Sequence, residues 1–253
     1  MLRAGTVKPK ASSSVGLYML LLIALASVSA STVGITFNIE SMTGQLMSGW
    51  SLSYGMNSTD MCSTSSRSTT TSFHEGSGCI LQVGNEEQFS VVGTNEDKDF
   101  QAINIVGYAS DQSGSRDLTT FFGKRVDLEV ILRTLGIEFD QKLGVIVVGI
   151  DISTDGSNNP QTLTAAVGAS AAIDTNSSPG FIYAPRPTLG QNIQEKGSSF
   201  VTFANVAVGK STVRVKPPHG MSCDLGPAGT GSGESVEVAV ESDTVTVVSY
   251  ICH

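Results

Sequence analysis

The sequence is poor in the side chains on which most catalytic and metal sites depend. Its 253 residues include three histidines, one tryptophan and four cysteines, and only 15% are charged. None of the histidines, His74, His219 and His253, has a second histidine, a cysteine or a carboxylate at ligand spacing on a predicted element. A Gly-x-Ser-x-Gly nucleophile elbow is also absent. We therefore expect no catalytic residues, no metal site and no cofactor.

No apolar run reaches the roughly 20 residues that a membrane-spanning helix needs. The run Leu17–Val28 follows the basic residues Arg3, Lys8 and Lys10, and it ends at Val28-Ser29-Ala30, a small-x-small cleavage pattern. This predicts a secretory signal peptide over residues 1–30, and the alternative is an uncleaved membrane anchor. After cleavage we expect a secreted, periplasmic or cell-surface protein with no membrane partner.

The mature chain is short of positive charge. Cleavage after Ala30 removes three basic residues and no acidic ones, so 12 of the 15 basic residues remain against 23 acidic residues, a formal net charge of −11. An acidic protein repels the phosphate backbone, so nucleic acid is not an expected partner. An acidic surface keeps a secreted protein soluble, which is the interpretation that we favour. A second interpretation is that the acidic residues bind cations.

The four cysteines, Cys62, Cys79, Cys223 and Cys252, all follow the predicted cleavage point. An even number in an exported chain predicts two structural disulfides, for which three pairings are possible. We favour the local pairs Cys62–Cys79 and Cys223–Cys252, because each would lie within one predicted domain. Neither pair has the Cys-x-x-Cys spacing of a redox motif or zinc site.

Most of the mature sequence consists of short alternating apolar runs between turn residues, which is typical of β-strands. Residues 124–135 differ, because opposite charges at Arg125 and Glu129 and apolar residues at helical spacing predict a short helix that stops at Gly136. Its apolar face is expected to contain Val126, Leu128, Val130, Ile131 and Leu135.

Gly209-Lys210-Ser211 matches the last three residues of a nucleotide-binding P-loop, but the context does not. The first glycine of that motif is replaced by Ala204, and the residues that follow, "TVRV", predict a strand where a P-loop opens a helix. We interpret the tripeptide as a turn between strands, with Gly209 at positive φ, and we expect no nucleotide binding.

The stretch "SSFVTFANVAVGKSTVRVKPPHG" resembles the strand-turn-strand core of carboxypeptidase regulatory-like domains, which are transthyretin-like sandwiches. Ala207 departs from the family's pattern, which often has proline there. The amino-terminal stretches "ITFNIESMTGQLMSGWSLSY" and "FQAINIVGYAS" are similar to a second, more diverged copy. The resemblance implies non-catalytic accessory modules. Its matching positions are Phe200, Phe203, Asn205, Val206, Gly209, Thr212 and Val213.

Pattern and resemblance together predict an all-β fold of two Ig/transthyretin-like β-sandwich domains joined by a short α-helix. The first sandwich is expected at residues 31–116, a helical linker at 117–143 and the carboxypeptidase regulatory-like sandwich at 144–253.

Two weaker signals concern ligands. The segment that begins at Asp151 places Asp151, Ser153, Asp155 and Gly156 like the start of a calcium loop, but Thr162 stands where the loop needs glutamate, so a turn is favoured. A possible ligand patch, with buried strand aromatics as the alternative, consists of Trp50, Phe181, Tyr183 and Arg186.

Two sequons, at Asn57 and Asn176, are glycosylation acceptors in a eukaryotic host. We expect an exported, non-enzymatic interaction or structural protein whose partner is a protein or glycan at the cell surface. The alternatives are a glycan-binding module and an enzyme with an unrecognised site.

Overall fold

A computed structural model describes residues 32–41, 47, 49–54, 61–63, 79–85, 87–110, 117–153, 163–184, 186–194, 198–226 and 233–253. For residues 40–41, 61–63, 79, 117–122 and 184 the description covers the backbone alone. The predicted signal peptide lies outside the described residues. Residues Thr32–His253 belong to one compact unit.

The described residues are mostly β-strand, with one helix, α1, at Arg125–Thr134. The strands are β1 Thr32–Ser41, β2 Trp50–Tyr54, β3 Met61–Ser63, β4 Cys79–Gly84, β5 Glu87–Asn95, β6 Ala102–Ala109, β7 Asp117–Phe122, β8 Gly144–Ser153, β9 Leu163–Ala165, β10 Ser170–Ile173, β11 Phe181–Ala184, β12 Arg186–Leu189, β13 Phe200–Val206, β14 Gly209–Lys216, β15 Cys223–Leu225, β16 Ser235–Val240 and β17 Thr244–Cys252. The alternation that predicted them is present, for example in β16, where every second residue is buried.

The strands form one large sheet and two small sheets. The large sheet runs in the order β12-β11-β13-β8-β17-β6-β5-β2-β3, with β15 also paired to β17 and β9 to β8. The small sheets have the orders β4-β1-β7 and β10-β14-β16, and we call them the amino-terminal and the carboxyl-terminal small sheet. The last strand, β17, lies in the middle of the large sheet and runs parallel to both β6 and β8.

The small sheets cover opposite faces of the large sheet. Side chains alternate between the faces of a strand. On β17, Val245 and Val247 pack in a first core with the amino-terminal small sheet, whereas Val248 and Tyr250 pack in a second core with the carboxyl-terminal one. The first core includes Phe37, Trp50, Leu52, Phe89 and Ile105, and the second includes Ile150, Phe203, Val213 and Val238.

This arrangement differs from the two sandwiches joined by a helix that the sequence predicts. The mainly β architecture is present, but the large sheet continues through both predicted domains, and β17 contributes side chains to both cores. The predicted linker, residues 117–143, begins with strand β7, which pairs with β1. The expected two-domain arrangement with a linking helix is therefore not confirmed.

The helix itself lies where the sequence predicts it, and it ends at Thr134, two residues before Gly136, whose φ is 74°. Its packing face is the predicted one only in part. Leu132 is fully buried against Phe181 of β11 and Ala204 of β13, together with the half-buried Leu128, Ile131 and Leu135. Val126 and Val130 are 56% and 53% exposed, because they lie about 200° around the helix from Leu128 and Leu132.

The expected Arg125–Glu129 pair is replaced by a longer-range contact. Arg125 donates to Asp243 through Nε (3.2 Å) and Nη2 (2.6 Å), which ties α1 to the turn between β16 and β17. Lys124 pairs with Asp97 and Asp99 at 3.2 and 3.1 Å. The pKa of Asp97 is lowered, first by a backbone N–H of Asp99 and then by the Lys124 ammonium group.

Because β17 serves both cores, the two halves should unfold together. Ile150→Ala removes a fully buried side chain from the second core and should cost about 2–5 kcal/mol. The single tryptophan, Trp50, lies in the first core. We expect the urea midpoint followed by Trp50 fluorescence to fall in Ile150→Ala and to stay unchanged in Val208→Ala, at an exposed turn position. A Trp50 transition that does not move while the circular dichroism transition does would mean independent domains.

Candidate interaction surface

The four residues of the predicted ligand patch do not share one surface. Trp50 is 0% exposed and packs in the first core, with its ring 5.8 Å from that of Phe100. Phe181 is 2% exposed and lies beneath α1. Both are therefore core aromatics, which was the alternative interpretation, and neither presents a ring to solvent.

Tyr183 and Arg186 remain accessible, at the edge of the large sheet. Tyr183 is half-buried in β11 and packs against the α1 cluster, while Arg186 is exposed at the start of β12. Pro187 lies opposite Tyr183 in the ladder. Burial raises the pKa of the Tyr183 phenol, and the charge of Asp127 adds to this effect. The phenol thus stays neutral and can donate a hydrogen bond.

An open groove of about 490 Å³ lies at the carboxyl end of α1. Two carboxylates and one guanidinium group make it largely polar, and a half-buried aromatic ring adds apolar surface. Its lining residues are Glu129, Arg133, Gly136, Ile137, Glu138 and Phe139.

The disulfide Cys223–Cys252 is confirmed. The two residues are direct partners in the β15–β17 ladder, with their Cα atoms 3.9 Å apart. The bridge spans 29 residues, for which the chain-entropy account gives about 3–4 kcal/mol of stabilisation. It closes the end of the central strand β17. The side chains of Cys62 and Cys79 lie outside the described residues, so their pairing stays a prediction.

Gly209-Lys210-Ser211 forms the start of strand β14, directly after a turn from β13. Gly209 has a φ of 132°, Ser211 is buried, and the exposed Lys210 pairs with Glu237 at 2.6 Å. No helix begins here, so the backbone cannot wrap a phosphate as a P-loop does. The turn interpretation is correct, and the two strands belong to different sheets.

Sequence reasoning missed one cluster of catalytic residue types, Ser222, Asp224 and His253. Ser222 and His253 exchange backbone hydrogen bonds beside the disulfide. The His253 Nε2 atom is 3.2 Å from the Ser222 hydroxyl and 3.8 Å from the Asp224 carboxylate. A catalytic triad needs the serine and the carboxylate on different ring nitrogens. Because both lie at the same nitrogen, Asp224 does not orient the imidazole through its other nitrogen, and the cluster lacks the geometry of a triad. The backbone hydrogen bonds between residues 222 and 253 could not be predicted from their separation in sequence.

Asp151 is the described acidic group whose environment differs most from water. It is half-buried on β8, and burial raises the pKa of its carboxyl to about 6, while a hydrogen bond from Ser199 opposes this shift. Residues 154–162 of the possible calcium loop lie outside the described residues. In the described part of the chain, no three His, Cys, Asp or Glu side chains come together as metal ligands.

Two further sequence predictions have partial outcomes. Asn176 is exposed, as a glycosylation acceptor must be, and Asn57 lies outside the described residues. Within the described ranges, α1 is too short and too polar to cross a membrane, and no other helix qualifies.

Comparisons with known proteins leave the family open. No family model and no curated protein matches the chain. It is similar to a family CBM26 module of Eubacterium rectale Amy13K, solved in complex with maltoheptaose (10% identity, 87% of this chain, 96% of that chain, TM-score 0.24). It is also similar to the minor pilin GBS52 of Streptococcus agalactiae (8% identity, 87% of this chain, 94% of that chain, TM-score 0.27). A third similar structure is the major pilin T-13 of Streptococcus pyogenes (9% identity, 89% of this chain, 97% of that chain, TM-score 0.22). At these TM-scores the similarity assigns neither fold nor function, and the resemblance to carboxypeptidase regulatory-like domains is not confirmed.

The turn at Gly209 gives a direct test. An added Cβ meets no atom within 4 Å, so Gly209→Val acts through its positive φ alone and should destabilise by about 1–3 kcal/mol. Lys210→Ala should remain close to wild type, because Lys210 and Glu237 are both exposed. Urea melts measure both, and titration of wild type with ATP and GTP should show no binding. Micromolar nucleotide affinity would contradict the turn interpretation.

The buried carboxyl of Asp151 should make stability depend on pH. Its folded pKa, about 6, exceeds the ordinary value of 3.8, so folding favours the protonated form. This contribution is present at low pH and is lost as the pH rises from about 4 to about 6, which costs roughly 2–3 kcal/mol at neutral pH. Asp151→Asn should therefore raise the melting temperature at pH 7 and have little effect at pH 4. A rise of the wild-type melting temperature with calcium would instead indicate that Asp151 is an ion ligand.

Proposed function

We propose that this chain is an exported, non-enzymatic interaction protein of the cell surface or extracellular space. The Cys223–Cys252 disulfide carries the proposal. Structural disulfides persist in oxidising compartments, and this one closes the strand on which both cores depend. The predicted signal peptide and the acidic composition of the chain agree with export.

A non-enzymatic role is supported by how the polar side chains are used. Arg125 and Asp243 join α1 to the sheet, and Asp174 accepts the backbone N–H of Thr212 at 2.7 Å. The Ser222, Asp224 and His253 cluster lacks the geometry of a catalytic triad. These groups stabilise the fold, which leaves binding as the activity that the described surface can provide.

The proposal predicts that the exported protein begins near Ser31 and has no free thiol. Expression of the full chain in a secreting host, followed by mass spectrometry of the non-reduced protein, measures both properties. Cys223 and Cys252 should resist alkylation until the protein is reduced. Retention of residue 1 in the exported protein, or alkylation of any cysteine without reduction, would contradict the proposal.

Glycan binding is the second candidate, and Tyr183 and Arg186 are the residues that favour it. The register pairs Tyr183 with Pro187 and Ala184 with Arg186, so the two side chains lie on opposite faces of this edge hairpin. A half-buried ring can contact the face of a sugar, and an exposed guanidinium group can bind sugar hydroxyls, each at its own face. Tyr183→Ala and Arg186→Ala should then abolish binding to an oligosaccharide array, with Arg133→Ala as the exposed control. An array without wild-type signal would remove this candidate.

A further inference from the structure

The large sheet has one uncovered region in its described part. One of its faces is covered by the amino-terminal small sheet and by α1, which packs over β11 and β13. The opposite face is covered by the carboxyl-terminal small sheet at β8, β13 and β17. Beyond that sheet, the outward residues of β5 are exposed, among them Ser90, Thr94 and Val92, which is 41% exposed. We call these three residues the floor.

The free edge of β16 lies beside this floor. Val213 and Val236 are direct partners in the β14–β16 ladder, and the Val215 N–H bonds the C=O of Glu234, just before β16. The backbone N–H and C=O groups of residues 234, 236, 238 and 240 therefore point toward β14. The N–H and C=O groups of Ser235, Glu237 and Ala239 therefore point away from β14. The floor strand comes close to this edge, because Gln88 of β5 donates to the Glu237 carbonyl at 3.2 Å.

The edge is only partly satisfied. Thr246 donates to the Ala239 carbonyl and Gln88 to the Glu237 carbonyl, but the N–H groups of Glu237 and Ala239 bond no acceptor within the described ranges. Both residues are exposed. Unpaired edge donors beside an uncovered sheet face form a template for one more strand.

We propose that an extended, basic peptide segment of another protein binds here as an additional strand on β16, above the floor. Stacked sheets lie about 10 Å apart, and the floor side chains are short, so the inward residues of the guest strand are bulky and apolar. The outward residues lie next to Glu237, whose carboxylate pairs with Lys210 of β14 at 2.6 Å. Glu234 and Glu241 are exposed at the two ends of β16 and have no ion pair among the described residues, so they favour lysine or arginine at the two ends of the guest strand.

A second copy of this chain does not fit the same edge. Thr246 reaches Ala239, so β16 lies above β17, and the large sheet extends past it through β6, β5, β2 and β3. We call these four strands the overhang, and at about 4.8 Å per strand they extend more than 10 Å past β16. Antiparallel pairing of two β16 strands would place both overhangs in the same space. The edge therefore accepts an isolated strand and excludes an identical sheet.

The inference rests on the proposed binding role and names its site and partner class. The test uses the synthetic peptide acetyl-Lys-Phe-Lys-Val-Lys-Phe-Lys-amide and the full exported chain. We expect saturable binding in fluorescence anisotropy and slower hydrogen exchange at the amides of Glu237 and Ala239. The same peptide with N-methylated alternate amides should not bind, because it cannot complete the ladder.

Two variants of the protein locate the site. Ala239→Pro removes an edge N–H that β14 does not use, and Val92→Arg places bulk and positive charge on the floor. Each should weaken peptide binding by at least about tenfold. Val208→Arg, at another exposed valine, is the matched control and should bind like wild type. Melting curves verify that all three variants are folded.

Absence of binding to folded wild type at about 1 mM peptide would overturn the inference. Equal binding by Ala239→Pro and Val92→Arg, or exchange protection confined to other strands, would also overturn it. None of these results changes the exported amino terminus or the thiol state, so failure of this site is distinguishable from failure of the proposed function.

Discussion

The position of β17 between β6 and β8 is the constraint on which the rest of this fold depends. Parallel neighbours on both sides cannot be joined to it by hairpins, so the chain must complete most of its length before the central strand can be placed. Its alternate side chains then close two cores on opposite faces. The Cys223–Cys252 bridge holds the far end of this strand. A defect in either core is thus transmitted through β17 to the other.

The positions of single strands and of the helix can be predicted from the sequence, whereas the pairing of strands that are distant in the sequence cannot. The alternation in residues 235–240 and the glycine after α1 depend on near neighbours, and both predict the structure correctly. The partner of Thr246 is Asn104, and no local pattern encodes a pairing over that separation. Val126 and Val130 show the same limit, since helical spacing defines an apolar stripe but tertiary packing selects which side of it is buried. Among the candidate site residues, the buried Trp50 and Phe181 could not be separated from the accessible Tyr183 without knowing which sheet faces are covered.

The offset between the two small sheets explains where apolar surface is covered and where it is not. Each small sheet has three strands and the large sheet has eleven, so each leaves part of its own face uncovered. On the face of the amino-terminal small sheet, α1 covers this part, and Leu128 and Phe139 contact both the first core and the α1 cluster. On the other face, the described residues place no element above Ser90 and Val92 of β5. The surface proposed for partner binding is therefore a consequence of the architecture and not of any single residue.

Two of the described edge strands, β12 and β16, differ in a way that matters for binding. At β12, Gly190 N–H bonds Gly180 C=O, so the ladder register turns residue 187 outward, and Pro187 has no N–H to offer a further strand. Exposed edges carry a risk of aggregation, and a proline is one of the common ways to block them. At β16, Ser235, Glu237 and Ala239 all keep an outward N–H. Only the overhang of the large sheet protects that edge from pairing with another copy, and an overhang excludes a sheet while it admits a single strand. Selectivity of this kind is what an interaction protein needs if it is to bind an extended segment without polymerising.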